Sequence, residues 1–310
     1  MKPLRRTLLC SIPAAIACSL LCNACGPIGK FKGRIKGKFM LTSPTAAELN
    51  LLSSAGSTQQ AHDKGAFFKI SNRSFDGDVQ FNEFVWSDIE FENCDFVNCS
   101  MMSGVVRNVR FVNCLFFANA WQDKIWENVY FRDCAWHGPF KMGAATGNGL
   151  TQFEECEFIG ATAEELGYGG KTEYFGSIGG TDGKVMYRKC KFERTFIYGG
   201  QVTECLSSRM SDVVIYGQDN SEILFDNILA SNLVNLGNNH FSVVNVKSST
   251  FSDRLTFEDT TIGSAVFENV IANLDLTIGQ SSICSPRSCD IQRRRQSGDV
   301  FAVWTKLRVF

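Results

Sequence analysis

Histidine is nearly absent from this chain. Three occur in 310 residues, His62, His137 and His240, and none falls in H-x-x-x-H or H-E-x-x-H spacing. That argues against a histidine-built zinc centre, which needs convergent ligands. No G-x-S-x-G elbow is present. The Gly170-Lys171-Thr172 triplet has Glu165 where a phosphate loop requires glycine. Acid pairs such as Glu154/Glu155 and Glu164/Glu165 are adjacent, so an extended chain points them to opposite faces. Asp88, Glu90 and Glu92 share one face at period two, as the solvated side of a strand also would. No nucleophile, base and orienting group come together, so the expectation is a non-enzyme with no cofactor and no metal. Proline is scarce, with six residues, and the one long apolar run, Leu8 to Leu21, is too short to span a bilayer.

What is abundant is phenylalanine, 26 residues, and it recurs with a period. From position 81 to 136 every fifth residue is bulky and apolar: Phe81, Trp86, Phe91, Phe96, Met101, Val106, Phe111, Phe116, Trp121, Trp126, Phe131 and Trp136. A second, generally smaller series lies two residues earlier, from Val79 through Cys94, Gly104, Cys114 and Lys124 to Cys134. Three residues before the bulky position stands Asn or Asp in nine of twelve units, Asp78, Asp88, Asn93, Asn98, Asn108, Asn113, Asp123, Asn128 and Asp133. A period of five fits neither a helix nor a plain strand and implies a repeating architecture. A chain that turns a corner every five residues closes a square coil in twenty, and coils stack about 4.8 Å apart. Bulky and small residues then face inward, and Asn or Asp, which tolerate turn conformations, form the corners. The fold expected is all-β, a right-handed quadrilateral parallel β-helix. Cys94, Cys114 and Cys134, twenty apart, should stack as a column of small buried thiols.

The units Phe91-Glu92-Asn93-Cys94-Asp95-Phe96 and Phe111-Val112-Asn113-Cys114-Leu115-Phe116 resemble the pentapeptide-repeat family in an F-x-N-C-x-F form. They depart from that family's commonest A-[DN]-L-x-x unit in placing Cys at the small site and an aromatic at the centre. The resemblance implies a β-solenoid that acts by binding.

Four segments are expected: a signal over 1–25, a basic segment and N-terminal cap over 26–74, the β-helix over 75–278 with a Gly-rich insert at 160–184, and a C-terminal tail or cap over 279–310. Charge follows these boundaries. Residues 1–74 carry 11 Lys/Arg against 2 Asp/Glu, residues 75–278 carry 14 against 28, and residues 279–310 carry 6 against 2. Lys2, Arg5 and Arg6 ahead of the apolar run have the layout of an export signal. Ala15-Ile16-Ala17-Cys18 looks like a bacterial lipoprotein box, and Ala24-Cys25 is a second candidate, so Cys18 and Cys25 are the lipidation candidates. Cleavage after Ala24 by an ordinary signal peptidase is the other outcome. The body is then lipid-anchored at the cell envelope, tethered to a membrane and not embedded in it, or secreted. Five bases alternate with Phe, Gly and Ile over 29–39, which suits anionic headgroups or a basic first strand equally.

Ser43-Pro44-Thr45 ahead of Ala46–Leu52 predicts a short helix that covers the exposed edge of the first coil. The insert holds Tyr168, Tyr174 and Phe175, the recognition-loop candidates, on a segment expected to project from the wall. Cys284 and Cys289 could close a small disulfide in an oxidising compartment, and residues 300–310 read as a final strand that caps or leaves the rod. The function these features favour is a non-catalytic scaffold for a protein partner, with no nucleic acid and with a dimer left open. The alternatives are a secreted effector or targeting module in host cells, a DNA mimic that binds a topoisomerase, and a glycan-active β-helix.

Overall fold

The computed structural model describes residues 40–53, 67–76, 79–146, 149–162, 174–179, 183–237, 240–258, 260–272, 302–304 and 307–309. These residues form a parallel β-solenoid with one short helix among them. In its first coils the solenoid has four sides. The strand Ile89–Glu92 is followed by Asp95–Val97, Ser100–Met102 and Val105–Arg107, each pairing in parallel with the equivalent strand of the next coil. We call these the first, second, third and fourth sides.

The corners explain the period. Glu83, Asp88, Asn93, Asn98, Ser103, Asn108, Asn113, Ala118, Asn128 and Asp133 all have φ between 50° and 59°, so the left-handed conformation recurs at nearly every fifth residue. Asn and Asp adopt that conformation most cheaply because their side chains bond locally. Here they also bond along the axis. Asn113 Nδ2 donates to Asn93 Oδ1 at 2.7 Å, Asn93 Nδ2 donates to Asn72 Oδ1 at 3.3 Å, and Asn108 Nδ2 donates to Asp88 Oδ1.

Every bulky position from Phe81 to Trp136 is buried. On the first side the register runs Ile70, Phe91, Phe111, Phe131, Phe153, Tyr187, Cys205, Phe225, Val246, Phe267, ten strands in parallel. Nine steps of about 4.8 Å make a wall roughly 43 Å tall. From Phe91 to Tyr187 the rings of this column stack nearly parallel at 4.7–5.0 Å. A second column, Phe75, Phe96, Phe116, Trp136, Phe158 and Phe192, stacks at 4.7–5.0 Å on the second side. The columns meet edge to face, for example Phe111 with Phe116 at 5.6 Å and 67°. Both arrangements satisfy the ring quadrupole, at about 1 kcal/mol per pair beyond burial.

The cross-section then changes. Among the described residues the fourth side carries Val85–Ser87, Val105–Arg107 and the end of Ala120–Glu127, and Thr146 of the next coil pairs with Ile125. In later coils the second and third sides fuse into one long strand, as in Lys191–Tyr198, Arg209–Tyr216 and Leu229–Gly237, bent at Arg194, Asp212 and Asn232 with φ of 52°, 55° and 60°. The first side lengthens to compensate, reaching eight residues in His240–Lys247 and Thr261–Glu268.

Both ends are covered. Helix Ala46–Ser53 is capped by Thr45, whose Oγ1 accepts from Glu48 N–H at 3.2 Å while Glu48 Oε2 accepts from Thr45 N–H at 2.7 Å. The cap is Thr45 itself, two residues later than a proline at the first helical position would require. Leu52 is buried, and its carbonyl accepts from Trp86 Nε1 at 2.9 Å, which fastens helix to core. At the far end Ala302–Trp304 and Leu307–Val309 pair antiparallel with Val270–Ala272 and Ala265–Phe267. Antiparallel closing strands occupy the edge where a further coil would otherwise add.

Part of the segment expected to project is wall. Glu157–Thr162 and Tyr174–Ile178 are strands, and Met142 pairs with Ile178, which in turn pairs with Ile197. Glycine is needed here for close approach rather than for looseness. A Cβ on Gly160 would lie 2.0 Å from the Arg194 carbonyl oxygen.

Two substitutions test the packing. Ala118 occupies a left-handed corner one rung from Asn98, whose buried Oδ1 has no hydrogen-bond partner among the described residues. Ala118→Asn supplies that donor and suits the corner, so it should raise unfolding free energy by about 1 kcal/mol and the melting temperature by about 2–4 °C. A lower melting temperature would show that the ladder does not extend there. Tyr187→Phe keeps the stack and removes a phenol oxygen that is likewise buried and unpartnered. Urea unfolding should show a gain of about 1 kcal/mol, and a loss would mean that the hydroxyl is bonded.

Candidate binding surface

The inward residues fix where the outward ones stand. On the first side the residue before each buried ring faces solvent, giving the column Lys69, Glu90, Arg110, Tyr130, Gln152, Met186 and Glu204. Several charges on the wall pair along the axis: Lys69 Nζ with Glu92 at 2.8 Å and Glu90 at 3.5 Å, Arg107 with Glu127 at 3.0 Å, and Lys184 with Glu204 at 2.7 Å. Exposed pairs of this kind contribute little stability.

Arg110 differs. Its guanidinium carbon lies 4.1 Å from the centre of the Phe67 ring, and it has no ion pair among the described residues. It borders a cavity of about 320 Å³ lined by Asn108, Arg110, Asn128, Val129, Tyr130, Leu150 and Gln152. The change in cross-section makes this hollow. Ahead of Leu150–Glu154, Gly149 lies so close to Asn128 that a Cβ there would be 2.9 Å from its backbone nitrogen. The wall therefore steps at the Asn108/Asn128 corner. Tyr130 Oη donates to Glu154 Oε2 at 2.6 Å, and burial beside that carboxylate pushes the phenol up to about 12, so Tyr130 stays neutral.

A second charged cluster lies on the outer second side. His137 Nε2 is 3.2 Å from Glu157 Oε2, and Lys191 Nζ is 2.9 Å from Glu157 Oε1. The hydrogen bond from His137, with help from Lys191, holds the Glu157 carboxyl down at about 2. It is ionised across the physiological range and has no proton to donate. Among the described residues no three His, Cys, Asp or Glu side chains converge as a metal shell would.

No family model matches this chain, and no curated protein is detectably similar to it.

The structure places the residues singled out from sequence as follows. Cys94, Cys114 and Cys134 stand in one buried column that continues to Cys156 and Cys190. Each thiol points at the carbonyl two residues before it and at a carbonyl of the preceding coil, as Cys114 does at Val112 (3.4 Å) and Phe91 (3.6 Å). Burial pushes the thiols of Cys114 and Cys156 up, away from the reactive thiolate. Tyr174 and Phe175 lie in the strand Tyr174–Ile178, paired with Thr162 and Ala161, rather than on a loop tip. Cys18, Cys25, Tyr168, Cys284 and Cys289 lie outside the described residues. Among the described residues an exposed aromatic lies elsewhere: Tyr198 stacks at 5.3 Å on half-buried Tyr216 on the outer third side, with Phe196 6.2 Å from Tyr216. Each follows an inward residue by one, Ile197 for Tyr198 and Ile215 for Tyr216, and that parity is their signal in the sequence.

One unit breaks the pattern. Asp123 is not a corner; it is buried, and Lys124, expected inside, is exposed. The strand Ala120–Glu127 runs straight through the place where the corner should be. Asp123 Oδ2 accepts from Trp126 Nε1 at 2.6 Å and from Trp121 Nε1, and Oδ1 accepts from Gly104 N–H at 3.3 Å. Gly104 is small because the Phe84 ring fills its column, where a Cβ would meet that ring at 2.3 Å. Burial raises the Asp123 carboxyl from 3.8 to about 7, against the lowering effect of the indole and amide donors. The folded state therefore holds this proton more tightly than the unfolded chain does. Stability from this group is complete below about pH 4 and falls as the pH rises to about 7, by about 4 kcal/mol in all. Urea titrations at pH 4 and 7.5 should show that loss in the native protein relative to Asp123→Asn. Equal pH slopes for the two would mean that the carboxyl does not titrate in this window.

Proposed function

We propose that this protein is a non-catalytic pentapeptide-repeat scaffold of the bacterial cell envelope, lipid-anchored or secreted, whose rod offers its outer faces to a protein partner. One observation carries the reading: ten parallel rungs with filled inward columns, so that side chains on the outside are held at fixed 4.8 Å intervals. Such a solenoid presents an extended binding surface whose geometry hardly changes on association. The resemblance in the F-x-N-C-x-F units supports the family, and the basic start, apolar run and cysteines support export. The ion-paired wall and the permanently ionised Glu157 support a binding role over catalysis.

The test is metabolic labelling with an alkyne fatty acid in a bacterial host, followed by fractionation. The expected result is a labelled protein in the membrane fraction, with label lost in Cys18→Ser or in Cys25→Ser, whichever is the acylated residue. An unlabelled protein exported to the medium with a cleaved N-terminus supports the secreted form. An unlabelled cytosolic protein with an intact N-terminus would end the envelope reading.

A further inference from the structure

We infer that the hollow at Arg110 is a binding site for an acidic sugar, a pyranose that carries a carboxylate. The inference concerns a small ligand on the wall and stands apart from how the rod is anchored.

The chemistry of the lining leads there. Arg110 is the one cation among the seven lining residues, and no carboxylate pairs with it among the described residues. Glu90, its neighbour in the outward column, sits 3.5 Å from Lys69, and Glu154, two rungs on, is engaged by Tyr130. A guanidinium offers a planar fork of donors that fits a carboxylate with two parallel bonds.

The rest of the lining suits hydroxyls. Asn108, Asn128 and Gln152 each carry an amide that both donates and accepts, as adjacent sugar hydroxyls require. Asn108 spends one donor on Asp88. Tyr130 and Leu150 add apolar surface for the C–H face of a ring. Arg110, Tyr130 and Gln152 stand on three successive rungs, a span of about 10 Å. The volume, about 320 Å³, lies at the small end of ligand sites and suits one or two sugar units.

Saturation-transfer NMR on the full chain, with glucuronic acid, galacturonic acid, glucose and acetate as separate probes, tests this. One or both uronic acids should bind at millimolar concentration, more tightly than glucose and than acetate. Arg110→Gln, at an exposed position, should weaken the uronic acids about tenfold or more and leave thermal unfolding unchanged. Arg110→Lys, which keeps the charge and loses the fork, should fall between. Silence from both uronic acids would overturn the inference, as would acetate binding equal to theirs, which would mean simple carboxylate capture. Undiminished binding by Arg110→Gln would also overturn it, by placing the ligand elsewhere on the wall.

Discussion

Parallel strands that hydrogen-bond one above another stand about 4.8 Å apart, and a solenoid imposes that distance on every side chain it stacks. Planar rings tolerate it well. The separations of 4.7–5.0 Å along the two aromatic columns are the strand spacing itself, with rings within 15° of parallel. A coil turned every five residues brings two such columns to adjacent sides, where the rings meet edge to face. One spacing thus satisfies backbone hydrogen bonds and ring quadrupoles together. The same spacing lets corner asparagines bond to each other and lets cysteines form a column in which each thiol reaches a carbonyl of the preceding coil.

The aromatic columns end at Tyr187 and Phe192, where the register continues to Cys205 and Met210. Beyond them the inward residues are mostly aliphatic and the coil has three sides. The order of these changes is informative. Among the described residues the last fourth-side pairing is that of Ile125 with Thr146, while the aromatic columns on the first and second sides run on for two more coils. The narrowing is therefore tied to the corner chemistry and not to ring packing. Asp123 is inside where a corner should be, and the strand it belongs to is continuous from Ala120 to Glu127. The next coil pairs with that strand through Thr146, and its first-side strand begins at Leu150.

Much of this was legible in the sequence because the period registers twice, once as bulk and once as Asn or Asp. Phe81 through Trp136 are buried in the order the spacing implies, and the short helix forms at 46–53, though capped by Thr45 and not by Ser43 ahead of Pro44. Asp123 was not legible, since a carboxylate three residues before a bulky side chain reads as another corner. Its inward turn depends on two indole N–H groups and a glycine a coil away, which no local pattern encodes. The segment 160–184 misled for a related reason. Gly160, Gly176 and Gly179 are required by close approach between neighbouring rungs, as at Gly160 and Arg194, and composition alone cannot separate that need from a flexible loop. The hollow at Arg110 has a sequence signal, the residue preceding the buried ring in three successive coils, but outward positions vary freely and nothing marks these three until the wall steps beside them.

That step is why a hollow exists on an otherwise flat wall. A regular solenoid offers ridges one side chain high, and a small ligand gains little from them because most of its surface stays in water. Where a side is lost, the corner column of Asn108 and Asn128 is left flanking the outward column of Arg110, Tyr130 and Gln152, and a concave lining results. The backbone beneath it is fixed by parallel pairing on the first side at every rung. Little ordering of the lining backbone is then left for a ligand to supply, which favours recognition by a few well-placed groups. The irregularity that begins with one buried carboxylate on one side of the rod is thus also what shapes this concave polar surface.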